Sequence, residues 1–225
     1  MDKIYQALIF QDRWTWYLDG IGKTVLISLG AIAIGVVIGV IVALIKYVSK
    51  KYGSLKIPSK ICDVYLTIFR GTPVYVQLLI MYFIVLVALP TLPIAIITFG
   101  INSGAYVAEI IRGGLESVDD GQIEAGASLG LPTFQIMTNI VLPQGFRRAL
   151  PALFNEFIAL IKETSIVGTI GVIDITKVAA NITVRTLDPF GPYIVSAVIY
   201  LVIVIGLNQV LKVLERRFSV SDRKN

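Results

Sequence analysis

At 225 residues, 56% hydrophobic and only 16% charged, with a mean hydropathy of +0.79, the chain has the composition of a protein whose surface lies mostly in lipid. This length leaves no room for a separate soluble catalytic domain beside a set of membrane helices. A single cysteine, Cys62, excludes an internal disulfide, and the lack of histidine removes the commonest metal ligand and the usual neutral-pH proton shuttle. The net charge of +5 comes from lysines and arginines gathered beside apolar segments, a pattern that records membrane orientation rather than nucleic-acid binding.

Residues 1–19 mix Ile4, Leu8 and Ile9 with Asp2, Lys3, Gln6 and Asp12, and then present Trp14, Trp16 and Tyr17. The pattern predicts an interfacial helix entering an aromatic belt, and it lacks the basic start and cleavage site of a signal peptide. Gly22-Lys23-Thr24 imitates the end of a phosphate-binding loop, but Tyr17 stands where the first glycine belongs and no strand precedes it. A five-span domain is expected over residues 20–218. Its first span, 24–48, is free of charge until Lys46 and long enough to cross a hydrocarbon core of about 30 Å. Gly35 and Gly39 form a small-residue face on it, suited to close packing within the subunit.

Lys46, Lys50, Lys51, Lys56 and Lys60 place the next turn on the cytoplasmic side and the N-terminus outside. Residues 57–69 read as an amphipathic elbow on the inner surface, ending at Arg70. Thr72-Pro73 opens a second span at 71–89, in which Gln77 is the one strongly polar residue, and Pro90 and Pro93 enclose a tight external turn. The third span, 94–111, carries Asn102, Tyr106 and Glu109 at i, i+4, i+7, a polar stripe with Ser103 beside it; Gly100 and Gly104 add a second small-residue face.

Residues 113–150 form a large inner loop, reinforced in that position by Arg147 and Arg148. Within it, Gly121 to Pro143 is too short and too polar to cross a membrane. Gln122 to Leu129 favours a helix, Gly130-Leu131-Pro132-Thr133 breaks it, and Thr133 is placed to cap a second helix that runs to Pro143. The near absence of side chains at Ala125, Gly126, Ala127 and Ser128 lets a partner's backbone approach the first helix, with Glu124 as a docking charge. Pro151 opens the fourth span, 151–171, where Glu156 and Glu163 lie seven residues apart on one face. Charges at that depth cost at least about 2.5 kcal/mol each and so face protein or a water-filled cavity, which makes this span the candidate translocation path. An external loop at 172–192 is long enough to serve as a lid or to meet a delivery protein. The fifth span, 193–214, is followed by Arg216, Arg217, Arg223 and Lys224, which place the C-terminal tail, 219–225, in the cytoplasm.

Glu124-Ala125, then Gly130, then Ile140-Val141-Leu142-Pro143 resembles the EAA loop of ATP-binding-cassette importer permeases. The resemblance extends through Arg70-Gly71-Thr72-Pro73, Ala105 to Ile110 with Arg112-Gly113-Gly114, Pro143-Gln144 and Lys162-Glu163-Thr164-Ser165, which are similar to the polar amino-acid uptake subgroup. Gly126 departs from the usual second alanine, and Glu163 from the more common aspartate. The resemblance implies an all-α integral membrane protein of the type I importer permease fold, a multi-pass component of the bacterial inner membrane. It further implies that Glu124, Ala125, Gly126, Ala127, Ser128, Leu129, Gly130 and Pro143 couple the chain to two ATP-binding-cassette ATPase subunits. ATP and Mg belong to those subunits, and this chain carries neither a cofactor nor a catalytic or metal site of its own. Five spans enclose no pore alone, so a second permease copy is expected, a homodimer being favoured, together with an extracytoplasmic amino-acid-binding protein.

The acids at 109, 156 and 163 favour a cationic cargo such as arginine, lysine or histidine, with Glu163 pairing its side chain. Glutamine or glutamate is the alternative. Asn102, Ser103, Tyr106, Thr164 and Ser165 are candidates for the cargo's amino and carboxyl groups, and equally for interhelical hydrogen bonds. Neutralisation of Glu156 or Glu163 by Lys162 or an arginine is the corresponding structural role. A channel or ion-driven carrier needs the polar stripe without an ATPase, and a membrane enzyme needs a nucleophile or metal set that the chain lacks.

Overall fold

The computed structural model describes residues 2–222, and among these every regular element is helical. In chain order they are α1 (Asp2–Leu8), α2 (Arg13–Tyr52), α3 (Lys56–Gly71), α4 (Val74–Ile80), α5 (Thr91–Glu116), α6 (Asp120–Ser128), α7 (Thr133–Ile136), α8 (Leu142–Glu163), α9 (Ile175–Thr186) and α10 (Phe190–Asp222). Wider π turns extend α4 over Met81–Val85 and join α7 to α8 over Met137–Val141, while α8 tightens into a 3-10 helix over Thr164–Ile170.

The first membrane helix is longer than expected. Gln11 and Asp12, both left-handed at φ 55° and 53°, form the break before it, and nothing interrupts the chain from Arg13 to the left-handed Gly53. Its 40 residues span about 60 Å, so Trp14, Trp16 and Tyr17 ride on its first turns instead of a separate interfacial helix. Among the described residues three segments are long and apolar enough to cross a membrane: Phe10–Tyr52, Thr91–Glu116 and Phe190–Val213. A fourth is possible only if α3 and α4 count as one span bent by 105°. The second expected span is correspondingly short, because the helical stretch 74–85 covers about 18 Å.

Two further boundaries differ from expectation. Pro151 lies inside α8, which begins at Leu142, and Arg147, Arg148, Lys162 and the two glutamates dilute the helix's apolar character. The external loop is largely helical: Asp174 caps α9 by accepting hydrogen bonds from the Thr176 and Lys177 N–H groups. Arg223 and Lys224 lie outside the described residues.

Packing is centred on α2 and α5, and their glycines explain why. A methyl at Gly35 would come within 3.1 Å of Ser103 Oγ, one at Gly100 within 2.7 Å of Ile34, and one at Gly104 within 2.8 Å of the Tyr65 hydroxyl. Where lipid tails are as apolar as leucine, close van der Waals contact replaces the hydrophobic effect as the force joining helices. The small-residue faces are therefore spent within the subunit. At the C-terminal end of α5, α5 and α8 cross just as tightly, Gly114 lying against the Gly145 carbonyl.

Candidate functional site

The stretch from Gly121 to Pro143, expected to couple the chain to its ATPase, is a helix, a tight turn and a second helix, as its residues predict. Asp119 starts α6 by accepting from the Gly121 N–H at 2.8 Å. At the other end the Leu131 N–H donates to the Gly126 carbonyl and the Gly130 N–H to the Ala127 carbonyl, a Schellman closure with Gly130 left-handed at φ 77°. The glycine six residues after Glu124 is therefore a conformational requirement of the turn.

Around α6 the residues divide by face. Glu124, Ala125, Ala127, Ser128 and Leu129 are exposed, Leu129 to 81%, and Phe134 beyond the turn is exposed to 76%. Gly126 is buried, and its role differs from the expected one: a methyl there would meet Ile140 at 3.1 Å and Ile136 at 3.2 Å. It seats α6 on α7 instead of admitting a partner. The second helix also does not end at Pro143; that residue sits in the first turn of α8, where a missing N–H is harmless. Thr133 does not cap α7, whose N-cap is Pro132.

This loop is tied to the membrane helices. Ile136, Met137 and Val141 share one buried cluster with Ala43 and Tyr47 of α2, Ile111 and Leu115 of α5, and Ala149 of α8. Lys50 pairs with Glu116 at 3.0 Å, Lys51 with Asp120, and Arg148 donates to the Ser117 carbonyl. The lysines that mark orientation thus also hold α2 against the base of the loop. Packed side chains thus join α7 and the π turn after it to α2, α5 and α8.

The polar interior separates into three groups instead of one stripe. Asn102 is buried and donates to Gln77 Oε1 at 2.9 Å and to the Phe69 carbonyl at 3.0 Å; Gln77 in turn donates to Thr72. Ser103 faces a different side and donates to Glu156 at 2.8 Å. Glu109 lies towards the C-terminal end of α5, bound by Arg112 at 2.5 Å and Arg70 at 3.7 Å, with Arg70 stacked over the exposed Tyr106 ring. Thr164 is buried and donates to the Ile161 carbonyl of its own helix, and Ser165 is half-buried next to it. Glu163 is exposed; neither it nor Glu156 takes part in the ion pairs found among the described residues.

Asp119, Arg70 and Gln77 are the members that sequence reasoning left out of the site. An N-cap signal was present in Asp119 ahead of a helical run, and Gln77 stood alone in an apolar segment. The partners of Arg70, by contrast, come from α5 and become visible only once α3 is folded back against it.

A helix-turn-helix loop is thus packed on one end of a helix bundle joined through small residues. Residues 19–220 match the family described as binding-protein-dependent transport system inner membrane component, and the chain belongs to that family. It is a multi-pass inner-membrane permease subunit of an ATP-binding-cassette importer, a class that leaves ATP hydrolysis to a separate subunit. Over 213 residues it is 35% identical to the arginine transport system permease protein ArtQ of Bacillus subtilis, covering 91% of this chain and 93% of that one. The putative glutamine transport system permease protein GlnP of Rickettsia bellii is 37% identical over 223 residues, covering 97% of this chain and 100% of that one. A crystal structure of an amino acid ABC transporter with histidines superposes with a TM-score of 0.83 at 37% identity, covering 91% of this chain and 94% of that one.

Proposed function

We propose that the chain imports basic amino acids, arginine, lysine or histidine, by converting closure of two ATPase subunits, each binding ATP and Mg, into alternating access. The observation that supports coupling is the division of α6: an exposed Glu124-Ala125-x-Ala127-Ser128-Leu129 face stands on a Gly126 seat that is continuous with the transmembrane core. The ATPase groove receives that face, with Glu124 supplying the docking charge, while Gly130 and Pro143 shape the elements on either side. Two copies of the permease face each other, each with five spans and its N-terminus outside, and an extracytoplasmic binding protein delivers the amino acid.

Cargo charge is read from α8. Glu156 and Glu163 lie on one face of the membrane segment without a basic partner, and an unpaired intramembrane carboxylate favours a cationic ligand. Glu163 pairs the side-chain charge, Glu156 is held by Ser103, and Ser165 is left for the backbone groups, since Asn102 is engaged by Gln77 and the Phe69 carbonyl. Glutamine or glutamate is the second reading, favoured by the relative named for glutamine at 37% identity against 35% for the one named for arginine.

The test is ATP hydrolysis by the permease and its ATPase in liposomes, titrated with arginine, histidine, glutamine and glutamate in the presence of binding protein. Stimulation confined to the cationic amino acids is expected, and Glu163→Gln is expected to weaken arginine uptake without changing insertion. Stimulation by glutamine or glutamate alone discards the cargo and keeps the importer. Uptake without ATP replaces the importer with a channel or carrier. Glu124→Lys should abolish co-purification of the ATPase, and stoichiometric retention removes α6 as the docking helix.

A further inference from the structure

Between α9 and α10 the chain turns a corner at residues 187–189. Three large apolar side chains stand largely uncovered on and beside it: Val184 is 76% exposed, Leu187 88% and Phe190 59%. We propose that this corner is a membrane-interface anchor, with the three side chains seated where lipid headgroups meet acyl chains.

The segment is tied down at both ends, unlike a free lid. At its start the buried Asp174 accepts hydrogen bonds from the Thr176 and Lys177 N–H groups and from the Tyr200 hydroxyl of α10. At its end the Arg185 guanidinium stacks on the Trp16 ring of α2 at 4.8 Å, and Lys3 of α1 pairs with Asp188 at 3.2 Å. The charged groups flanking Leu187 are thus engaged by α1 and α2, and the side chains left facing outward are apolar. Val184 stands on the side of α9 opposite its buried Ile175, Val178, Ala179 and Ile182.

Leu187 is the sharpest case. It is the C-cap of α9, and its N–H donates to the Thr183 carbonyl while its backbone is left-handed at φ 53°. Glycine adopts that conformation freely and leucine does not. A leucine side chain that is almost fully exposed returns no packing inside the protein to offset the strain, so its contact lies outside.

Two observations make that contact lipid. On α10, Phe190, Ile194, Val198, Leu201 and Ile205 are all exposed, and their spacing of four, four, three and four residues puts them on one face of a helix able to cross a membrane. Acyl chains cover such a face, and Phe190 belongs both to it and to the corner. At the same end of the bundle, Trp14 and Trp16 on the first turns of α2 and Tyr193 on the first turn of α10 supply the aromatic side chains that collect at a membrane–water boundary.

The experiment uses the full chain in a Cys62→Ser background, with Leu187→Cys, Val184→Cys or Val198→Cys carrying a nitroxide label attached before assembly with the ATPase in phosphatidylcholine nanodiscs. Collisions are read with oxygen, which concentrates among acyl chains, and with a nickel chelate, which stays in water. Oxygen is expected to outweigh the chelate at Leu187 and Val184, as it does at the lipid-facing Val198. Leu187→Gly suits the left-handed turn and so keeps the fold, and it is expected to shift the Val184 label towards the chelate. Chelate collisions at Leu187 and Val184 equal to those of free label in buffer overturn the proposal. So does protection that appears only when the binding protein is added, since that assigns the corner to the delivery protein.

Discussion

Replacing Gly130 with alanine isolates the contribution of one backbone conformation to α6, the proposed docking helix. The residue is left-handed at φ 77°, and a methyl group there meets no atom within 4 Å, so the cost is conformational and involves no clash. For an L-residue that cost is about 1–2 kcal/mol, equivalent to about a 5- to 30-fold rise in local opening of the α6 terminus. Gly126 is the internal control. It is helical, its methyl would meet only the flexible ends of Ile140 and Ile136 at 3.1 and 3.2 Å, and alanine gains about 0.8–1 kcal/mol of helix propensity. Hydrogen exchange of the peptide covering residues 120–131 in the reconstituted permease is expected to accelerate for Gly130→Ala. Gly126→Ala is expected to leave it unchanged or slower. Binding-protein-stimulated ATP hydrolysis should follow the same order, and Gly130→Asn should fall between alanine and glycine because asparagine tolerates the left-handed region. Equal exchange for Gly130→Ala and the parent, or faster exchange for Gly126→Ala than for Gly130→Ala, would refute the Schellman argument.

Gly39→Leu drives a side chain into Val107 and within 2.9 Å of the Ala108 backbone nitrogen, so it should cost about 1–3 kcal/mol and lower the yield of folded protein, whereas Gly22→Leu, with nothing within 4 Å, should not; detergent-resistant monomer yield distinguishes them. Asp174 is fully buried, and burial pushes its carboxyl above the ordinary aspartate range against the lowering effect of the Lys177 and Thr176 N–H groups and the Tyr200 hydroxyl. The folded state then holds the proton more tightly than the unfolded one, so this contribution is complete below about pH 3.9 and is lost as pH rises through the folded value. Asp174→Asn keeps an equally good N-cap and should flatten that fall in a thermal-unfolding series against pH; an unchanged slope assigns the dependence elsewhere. Cysteines placed at Asp188 and Lys51 in a Cys62→Ser background should react with impermeant reagent from outside and inside respectively, and the reverse pattern overturns the proposed orientation.

Composition and hydrophobic run length alone determine that this is a helical membrane protein, because backbone groups in lipid have to be satisfied within the segment itself. The EAA-type spacing was equally legible: a glycine six residues after Glu124 is a local demand of the turn, set by two hydrogen bonds between near neighbours. The elbow was legible from the same kind of local signal, an apolar stripe of helical period.

Tertiary structure decided what depends on distant partners. Glycine faces on α2 and α5 are legible as close-packing surfaces, but that they meet each other with Ser103 and Val107 between them follows from the fold. The i, i+4, i+7 spacing of Asn102, Tyr106 and Glu109 is correct for a helix, yet distant neighbours divide them: Gln77 from α4 and the Phe69 carbonyl from α3 take Asn102, while the Arg70 guanidinium from α3 takes Tyr106 and, with Arg112, Glu109. Gly126 and Pro143 illustrate the same limit. A small residue in a helix permits close approach from either side, and a proline ends or begins a helix with equal local logic. Only the packing of Ile136 and Ile140 beneath α6, and the joining of α7 to α8 through a π turn, select between those readings.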